Sequence, residues 1–440
     1  MTLGLTILVI ALVGPLYALA LARLGWRRGA KQQSPATDQF HAICLVPCLN
    51  EGAVVTNTVA RLLAQDPNLR VVVVDDASDD NSAALLSALE GSRVLVLRRE
   101  LPDARQGKGA ALNHAFREIV IAAKAMGIDR DRAVIGVIDA DGRLDDGALD
   151  AVLPWFEDPD VGGVQLAVRI ANRRQSLLAR MQDVEFAAYG QVFQRGRTEL
   201  TSAGLGGNGQ FARLSALEAL GDDPWSDSLT EDLDLGIRLR VAGWRSVFEG
   251  SVAVHQQGLH RVGALLRQRT RWFQGHMQAW SLIPKLWRSD VPLRPKVDMT
   301  AHLILPVALL SASVAIVASL VRMVRVGIAD PDQLVAALTA GPIVPWWYLL
   351  GFLATPLIAV AYWRTEPEIG FWRGVAYAHL YSLFTWVWFF AGWRALWRQF
   401  RGSQGWVKTP RHVDADGPSV TSVLVADPMT DHAESEAAAA

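Results

Sequence analysis

The sequence predicts an α/β fold with a doubly wound, mainly parallel sheet, inserted between transmembrane helices, and three observations carry that prediction. From Ala42 onward, apolar β-branched runs alternate with helical stretches, the pattern of a sheet with helices on both faces. The runs are continuous rather than alternating, which suits strands buried on both sides. Around this region lie four apolar segments, Leu3–Leu24, Thr300–Val321, Ile343–Trp363 and Val375–Trp393, each near the roughly 20 residues that cross a bilayer core.

Taken in order, Leu3–Leu24 has no basic residues before it and is too long for the apolar part of a signal peptide, so residues 1–26 read as a retained anchor. Arg23, Arg27, Arg28 and Lys31 flank its C-terminal side and place that side, with the polar region that follows, in the cytoplasm of a multi-pass protein of the inner or plasma membrane. Within a domain assigned to residues 40–260, Ala42–Cys48, Leu69–Val74, Val94–Leu97 and Ala133–Ile138 are predicted strands. Ala53–Ala64, Ser82–Glu90 and Gly109–Ala125 are predicted helices. Asp145-Asp146 suit the N-cap and first turn of the next helix. After Val161 the pattern is mixed and more helical. Ser176–Arg195 and Val262–Trp287 set basic residues among aromatic and aliphatic ones, the composition of an interfacial helix or of one packed on the domain; residues 261–297 are assigned to interfacial helices. Residues 298–397 hold about three spans, and the Asp/Glu/Ser/Ala-rich residues 412–440 read as disordered. Basic residues from Arg394 to Arg411 favour an inside tail, whereas three spans after a cytoplasmic domain put it outside. One apolar segment is then re-entrant or interfacial, or the charge rule is overridden.

At 440 residues the chain holds one large or two medium domains. A formal net charge of −1 gives no basic field for nucleic acid. The two cysteines, Cys44 and Cys48, are four apart in a strand, roughly 13 Å and beyond disulfide reach. They read as buried small side chains in a reducing compartment.

Strand ends in such folds face the ligand crevice, and two acidic motifs fall there. Asp139-Ala140-Asp141 offers two carboxylates to one hard cation and leaves places for phosphate oxygens. Asp75-Asp76 can accept hydrogen bonds from a nucleobase or ribose, and Pro47-Cys48-Leu49-Asn50-Glu51 ends the first strand in the same crevice. Lys108, at a helix start, can meet a phosphate as a point charge, although Gly107-Lys108-Gly109 lacks the remainder of a Walker loop. Gly204-Leu205-Gly206-Gly207-Asn208-Gly209 matches a dinucleotide fingerprint in letters only, since no buried strand precedes it; a loop that lets a sugar approach the backbone fits better. Thr230-Glu231-Asp232 is either a helix cap with first-turn acids or the source of a general base for a sugar hydroxyl. In Gln268-Arg269-Thr270-Arg271-Trp272 the two arginines can clamp phosphate and the indole can stack on a sugar. Together, in this order, these motifs point to an enzyme that handles a metal-bound sugar nucleotide at a membrane surface.

The same residues, with Lys108-Gly109-Ala110-Ala111-Leu112-Asn113, Val164-Gln165 and Gly207-Asn208-Gly209, resemble the membrane-embedded family 2 glycosyltransferases, which include synthases of cellulose, hyaluronan and poly-N-acetylglucosamine. The resemblance covers about Ala42 to Trp280 and the flanking spans. It implies a GT-A fold and an inverting displacement that gives a β-linkage. It implies Asp232 as the catalytic base. Pro47, Asn50, Glu51, Asp76, Lys108, Asp139, Gln268 and Arg271 would hold the donor nucleotide, and Gly207, Asn208, Glu231 and Trp272 the acceptor. Asp141 and Asp139 would hold Mg²⁺ or Mn²⁺. The expected partners are a nucleotide sugar (a UDP-sugar), a glycan or lipid acceptor and the lipid bilayer, with an oligomer or an accessory export protein completing a polymer channel that about four spans do not. The leading expectation is extension of a polysaccharide; the alternative is transfer of one or a few sugars to a membrane lipid. A transporter is disfavoured because its working polar residues lie inside the spans, which here hold little beyond small hydroxyls, and a non-catalytic scaffold because every acidic motif is intact.

Overall fold

The computed structural model of the chain describes residues 2–27, 40–339, 348–349 and 351–402. Arg28 and Lys31, residues 343–347 of the third predicted span, and the tail 412–440 lie outside the described residues.

Eight strands form one sheet in the order β3-β2-β1-β4-β7-β6-β8-β5. β1 (His41–Cys48), β2 (Arg70–Asp75), β3 (Val94–Arg98) and β4 (Ala133–Val137) are parallel and coincide with the four predicted runs. Their continuous apolarity has a simple cause, because alternate residues serve two cores. Cys44, Val46, Cys48, Val71 and Val73 pack on one face with the helix Val55–Leu63. Ile43, Leu45, Val72 and Val74 pack on the other with the helix Lys108–Ala125. Both cysteines are therefore buried and unpaired, and burial pushes their thiols up to about 12.

The other half of the sheet departs from expectation. β6 (Val161–Ile170), β7 (Gln210–Arg213) and β8 (Arg245–Gln256) occupy the stretch read as increasingly helical, and β5 (Arg143–Leu144) precedes it. β6 and β8 are parallel, while β7 runs antiparallel to both β4 and β6, and β5 antiparallel to β8. That inversion positions the site. Cys48 pairs with Asp75 and Leu45 with Val137, so β1, β2 and β4 end at one edge. Because β7 is reversed and Gln210 pairs with Val137, the glycine-rich segment entering β7 reaches the same edge. Asp145 does not begin a helix as expected. Its carboxylate accepts from Ala253 N–H and lies 2.8 Å from His255 Nε2 of β8, and Gly147 takes the N-cap of Ala148–Val152.

The N-terminal helix Thr2–Arg27 packs on the domain backbone to backbone. A Cβ on Gly196 would fall 2.3 Å from Leu21 O, and one on Gly25 would fall 2.7 Å from Arg195 Cβ. Ser176–Arg195 is a packed helix, Leu177–Ala188, that continues as a π-helical turn, Tyr189–Gln194. Buried Arg197, just beyond it, donates to Asp298 (2.9 Å), which also accepts from Tyr17 Oη (2.6 Å), joining three helices.

Among the described residues one helix, Leu293–Ala329, is long and apolar enough to cross a membrane. Its 37 residues extend about 55 Å, beyond the ~30 Å bilayer core. The other two predicted C-terminal spans are built from shorter helices among the described residues. Val375–Trp393 is divided at Thr385 into helices of 14 and 15 residues, Phe371–Phe384 and Trp386–Phe400, and the described end of the third segment is an 11-residue helix, Thr355–Thr365. Hydropathy sums side chains and does not see the break. These short helices bury small residues (Gly374, Ala378, Ala391, Gly392, Ala395) and turn Leu383, Phe390 and Trp397 outward.

Candidate active site

The carboxyl edge of β1, β2 and β4 carries most of the predicted donor residues. Pro47, Glu51 and Asp76 face one cavity, and Asp76 is held by Arg99 at the end of β3. Asp75, the other half of the pair, is buried, paired with Arg98 (2.9 Å) and bonded by Ser78 N–H, so it builds the loop. Asn50 is not brought to the cavity wall. It adopts φ 53°, and its amide exchanges two hydrogen bonds with Asp79 (2.6 and 2.8 Å), fastening the β1 and β2 loops together.

Lys108 enters the site because its helix is docked by its own motif. Gly109 has no room for a Cβ, which would lie 2.3 Å from Ser226 O, and Asn113 exchanges two hydrogen bonds with the backbone of Trp225. Lys108 Nζ then sits 2.6 Å from Asp139 and 3.8 Å from Glu231. Burial works against its charge, but Asp139, Glu231 and Asp232 outweigh it and hold its pKa above the ordinary lysine value.

Asp139 faces the cavity, and the ammonium shows that its carboxylate accommodates a cation. Asn208 donates to Gln256 Oε1 (3.0 Å) and accepts from Asp139 N–H (3.1 Å), so this predicted acceptor residue positions Asp139; Gln165 in turn bonds Asn208 O and Gly206 N. Asp141 accepts from Gln257 N–H (2.9 Å). A hard divalent cation fits this pair in donor type, since two carboxylates leave most places to phosphate and water oxygens; among the described residues no third His, Cys, Asp or Glu converges on it.

Asp232 lies in the first turn of Glu231–Val241. The cap reading loses its main support, because Thr230 makes no side-chain cap bond. Burial, and then the neighbouring Glu231, raise the Asp232 pKa to about 7, against the opposing pull of Lys108, the Leu233 N–H and Arg271. A helix start favours an ionised carboxylate; here burial outweighs it. A carboxylate titrating near neutrality, facing a cavity, is suited to accept a proton. Gly207, at φ 77°, makes room for it, since a Cβ there would lie 2.8 Å from Asp232 Oδ2.

The helix Val262–Gln278 brings Gln268, Arg271 and Trp272 to the same cavity. Arg269 does not join them, which corrects the expectation of two phosphate clamps. It is fully buried, paired with Glu185 and stacked on Trp272 (4.1 Å to the ring centroid) and Trp388 (5.6 Å). A sequence cannot tell a buried arginine from an exposed one two positions away; 3.6 residues per turn sends them to different faces.

The cavity has a volume of about 840 Å³ and runs from the Asp76–Lys108 crevice past Asp232 to a section between Gly14–Ala18, Leu305–Leu310 and Leu357–Ile358. Several further polar residues on its wall escaped the sequence reading, Arg105, Tyr189, His276 and His302 among them. Arg105 bonds Ala77 O and Asp79 and had no local signal. Tyr189 reaches the wall through the π-helical turn. His276 Nδ1 lies 3.1 Å from Trp272 O, and its ring is 5.3 Å from that of His302, which stands inside a predicted span taken as nearly devoid of polar residues.

A model of the glycosyltransferase-like family 2 matches residues 42–275. The β-monoglucosyldiacylglycerol synthase of Synechocystis sp. is 33% identical over 328 residues, covering 70% of this chain and 64% of the relative. The enzyme of the same name from Trichormus variabilis is 34% identical over 252 residues, 55% of this chain and 51% of the relative. The matches thus span about half to two thirds of these curated relatives. Among solved structures, a mannosyltransferase from Pyrobaculum calidifontis in complex with GDP-Man and Mn²⁺ aligns with a TM-score of 0.55 at 18% identity, over 89% of this chain and 99% of that one, a likeness of fold.

Proposed function

The chain belongs to the family 2 glycosyltransferases, with a GT-A-like fold, and on that premise we propose that it moves a hexose from a nucleoside-diphosphate sugar, a UDP-sugar, to the hydroxyl of a membrane lipid, with inversion to a β-linkage. The observation that carries the lipid acceptor is the single cavity that joins Asp232 to a wall of apolar helices. The names of the two curated relatives support it. The polysaccharide reading, which led on sequence, has less behind it. Among the described residues one helix is both long and apolar enough to cross a membrane, and the apolar section of the wall offers a glycan few hydrogen-bonding partners.

In this reading Asp76 and Glu51 receive the nucleoside, while Lys108 and Arg271 meet the diphosphate as cations. Asp139 and Asp141 would hold Mg²⁺ or Mn²⁺; the metal, when bound, neutralises charge developing on the leaving diphosphate. Asp232 takes the proton as the acceptor oxygen bonds to the anomeric carbon and the bond from that carbon to the diphosphate breaks. Lys108, paired with Asp139 and close to Glu231, holds its ammonium where a diphosphate at this edge can meet it. In this reading Leu293–Ala329 lies in the bilayer, which its outward apolar side chains, such as Val317, Val324 and Ile328, support, and the basic Arg23–Lys31 cluster supports a catalytic domain on the cytoplasmic side.

The test is purified protein in detergent with a panel of nucleotide sugars, with diacylglycerol micelles or soluble oligosaccharide as acceptor. Release of nucleoside diphosphate is followed, and products are separated by chromatography. A glycolipid carrying one or a few sugars is expected. Polymer formation, or transfer only to oligosaccharide, would refute the lipid acceptor.

A further inference from the structure

We propose that the inner end of the cavity is an acyl-chain subsite walled by the N-terminal helix, and that Gly14, opposite Leu309, sets the length of chain it takes. The inference rests on the lipid reading and deepens it, turning a helix read as an anchor into part of the substrate site.

The wall there comes from four elements: Gly14–Ala18 of the N-terminal helix, Val192 and Phe193 of the π-helical turn, Leu305–Leu310 of the long apolar helix, and Ala354–Ile358. None of their cavity-facing residues carries a charge. Within the stretches just named Tyr17 is the polar one, and its hydroxyl already donates to Asp298 Oδ1; Tyr189 and His302 face the cavity from the same turn and the same long helix. A sugar chain or an anionic group would lose its water here without gaining a partner, whereas a hydrocarbon chain gains by burial.

The N-terminal helix has two apolar faces of different size. Gly14, Pro15 and Ala18, all small, face the cavity beside Tyr17, whose hydroxyl is engaged by Asp298, while Leu16 (59% exposed) and Leu19 (55%) face outward. An anchor alone needs no such asymmetry; a partition between a chain-filled chamber and a bilayer does. The helix is held in place by the close contacts of Gly25 and Gly196 and by Trp26 Nε1 donating to Gln191 O (3.0 Å). At Gly14 the backbone is helical, and an added Cβ would come 4.0 Å from Leu309 Cδ1. A methyl therefore fits, but a leucine must project into the chamber. The π-helical turn, a feature common at functional sites, sends Tyr189, Val192 and Phe193 to the cavity together.

The experiment compares kcat/KM for dioleoylglycerol and dioctanoylglycerol in the same mixed micelles, for the wild type, Gly14→Leu and Leu309→Ala. The ratio of the two values is the readout, because any loss of folded protein cancels. Gly14→Leu should lower the long-to-short ratio about tenfold or more, as a leucine displaces several methylenes from burial; Leu309→Ala should raise it. If the wild type glycosylates both lipids and neither variant moves the ratio, the subsite is overturned and the lipid reading stands. If the wild type transfers sugar to oligosaccharide and to neither lipid, the lipid reading has failed and the subsite fails with it.

Discussion

Replacing Asp232 by asparagine removes an ionisable oxygen while keeping the shape of the side chain, so its effects on turnover and stability can be worked out separately. General-base catalysis contributes a factor of about 10²–10⁴, so kcat should fall by that much or more, while nucleoside-diphosphate affinity by calorimetry changes little. Stability moves the other way. Burial first, and then Glu231, raise the pKa of Asp232 from the ordinary 3.8 to about 7. The folded state therefore binds this proton more tightly than the unfolded chain, and the stability it brings is fully present below about pH 4 and lost as pH rises to about 7. The gap between those values corresponds to about 4 kcal/mol. Asparagine never ionises, so the melting temperature of the variant relative to wild type should climb between pH 5 and pH 8. The wild-type kcat/KM should rise about tenfold per pH unit below 7 and flatten above it. Scanning fluorimetry and initial rates on the same preparations across that range decide the matter. A residue that only caps the helix would lose about 1 kcal/mol at every pH with turnover nearly normal. That outcome, or a flat pH–rate profile, would refute the base assignment.

Excess chelator should abolish turnover, and Asp141→Asn should do the same without restoring activity at high Mg²⁺ or Mn²⁺; undiminished rates in chelator would remove the metal from the mechanism. Gly207→Ala should lower kcat about tenfold or more, because its Cβ would meet Asp232 Oδ2 at 2.8 Å and its φ of 77° disfavours a side chain; normal kinetics would show that the loop yields. Arg269→Ala should destabilise the protein by about 3–5 kcal/mol by leaving Glu185 buried and unpaired, and Arg269→Lys should recover only part of it, since an ammonium cannot lie flat on Trp272; a melting curve measures both. A cysteine at exposed Asp103 should resist an impermeant thiol reagent in intact cells, and native Cys44 and Cys48, being buried, should give no background; ready labelling would reverse the orientation.

The parallel half of the sheet was legible because its strands are buried on both faces, and a run such as Val71–Val74 admits little but β-branched apolar residues. The antiparallel half was not. β7 has four residues and β5 two, too short for a period to show, and β8 mixes Glu249, Gly250 and Ser251 into its middle. The division at Thr385 was not legible, because apolar composition continues across it. Around the site, Asp76, Lys108, Asp139, Asp232 and Arg271 were all named from order and spacing and all reach one cavity. Asn50 was named too, but its amide is engaged by Asp79 away from the cavity wall, whereas Asn208 lines the cavity and holds Asp139.

The sequence by itself determined the fold class, the family and the carboxylates available for chemistry, because these depend on local periodicity and on motifs at strand ends. Only the tertiary structure decided which charged groups stay usable and what the acceptor meets. Burial depends on segments far apart in the chain. Glu185 and Trp388 take Arg269 out of the site, Glu231 and the enclosing wall set the basicity of Asp232, and Gly14, Leu309 and Leu357 come together around one apolar chamber only after the helices have packed.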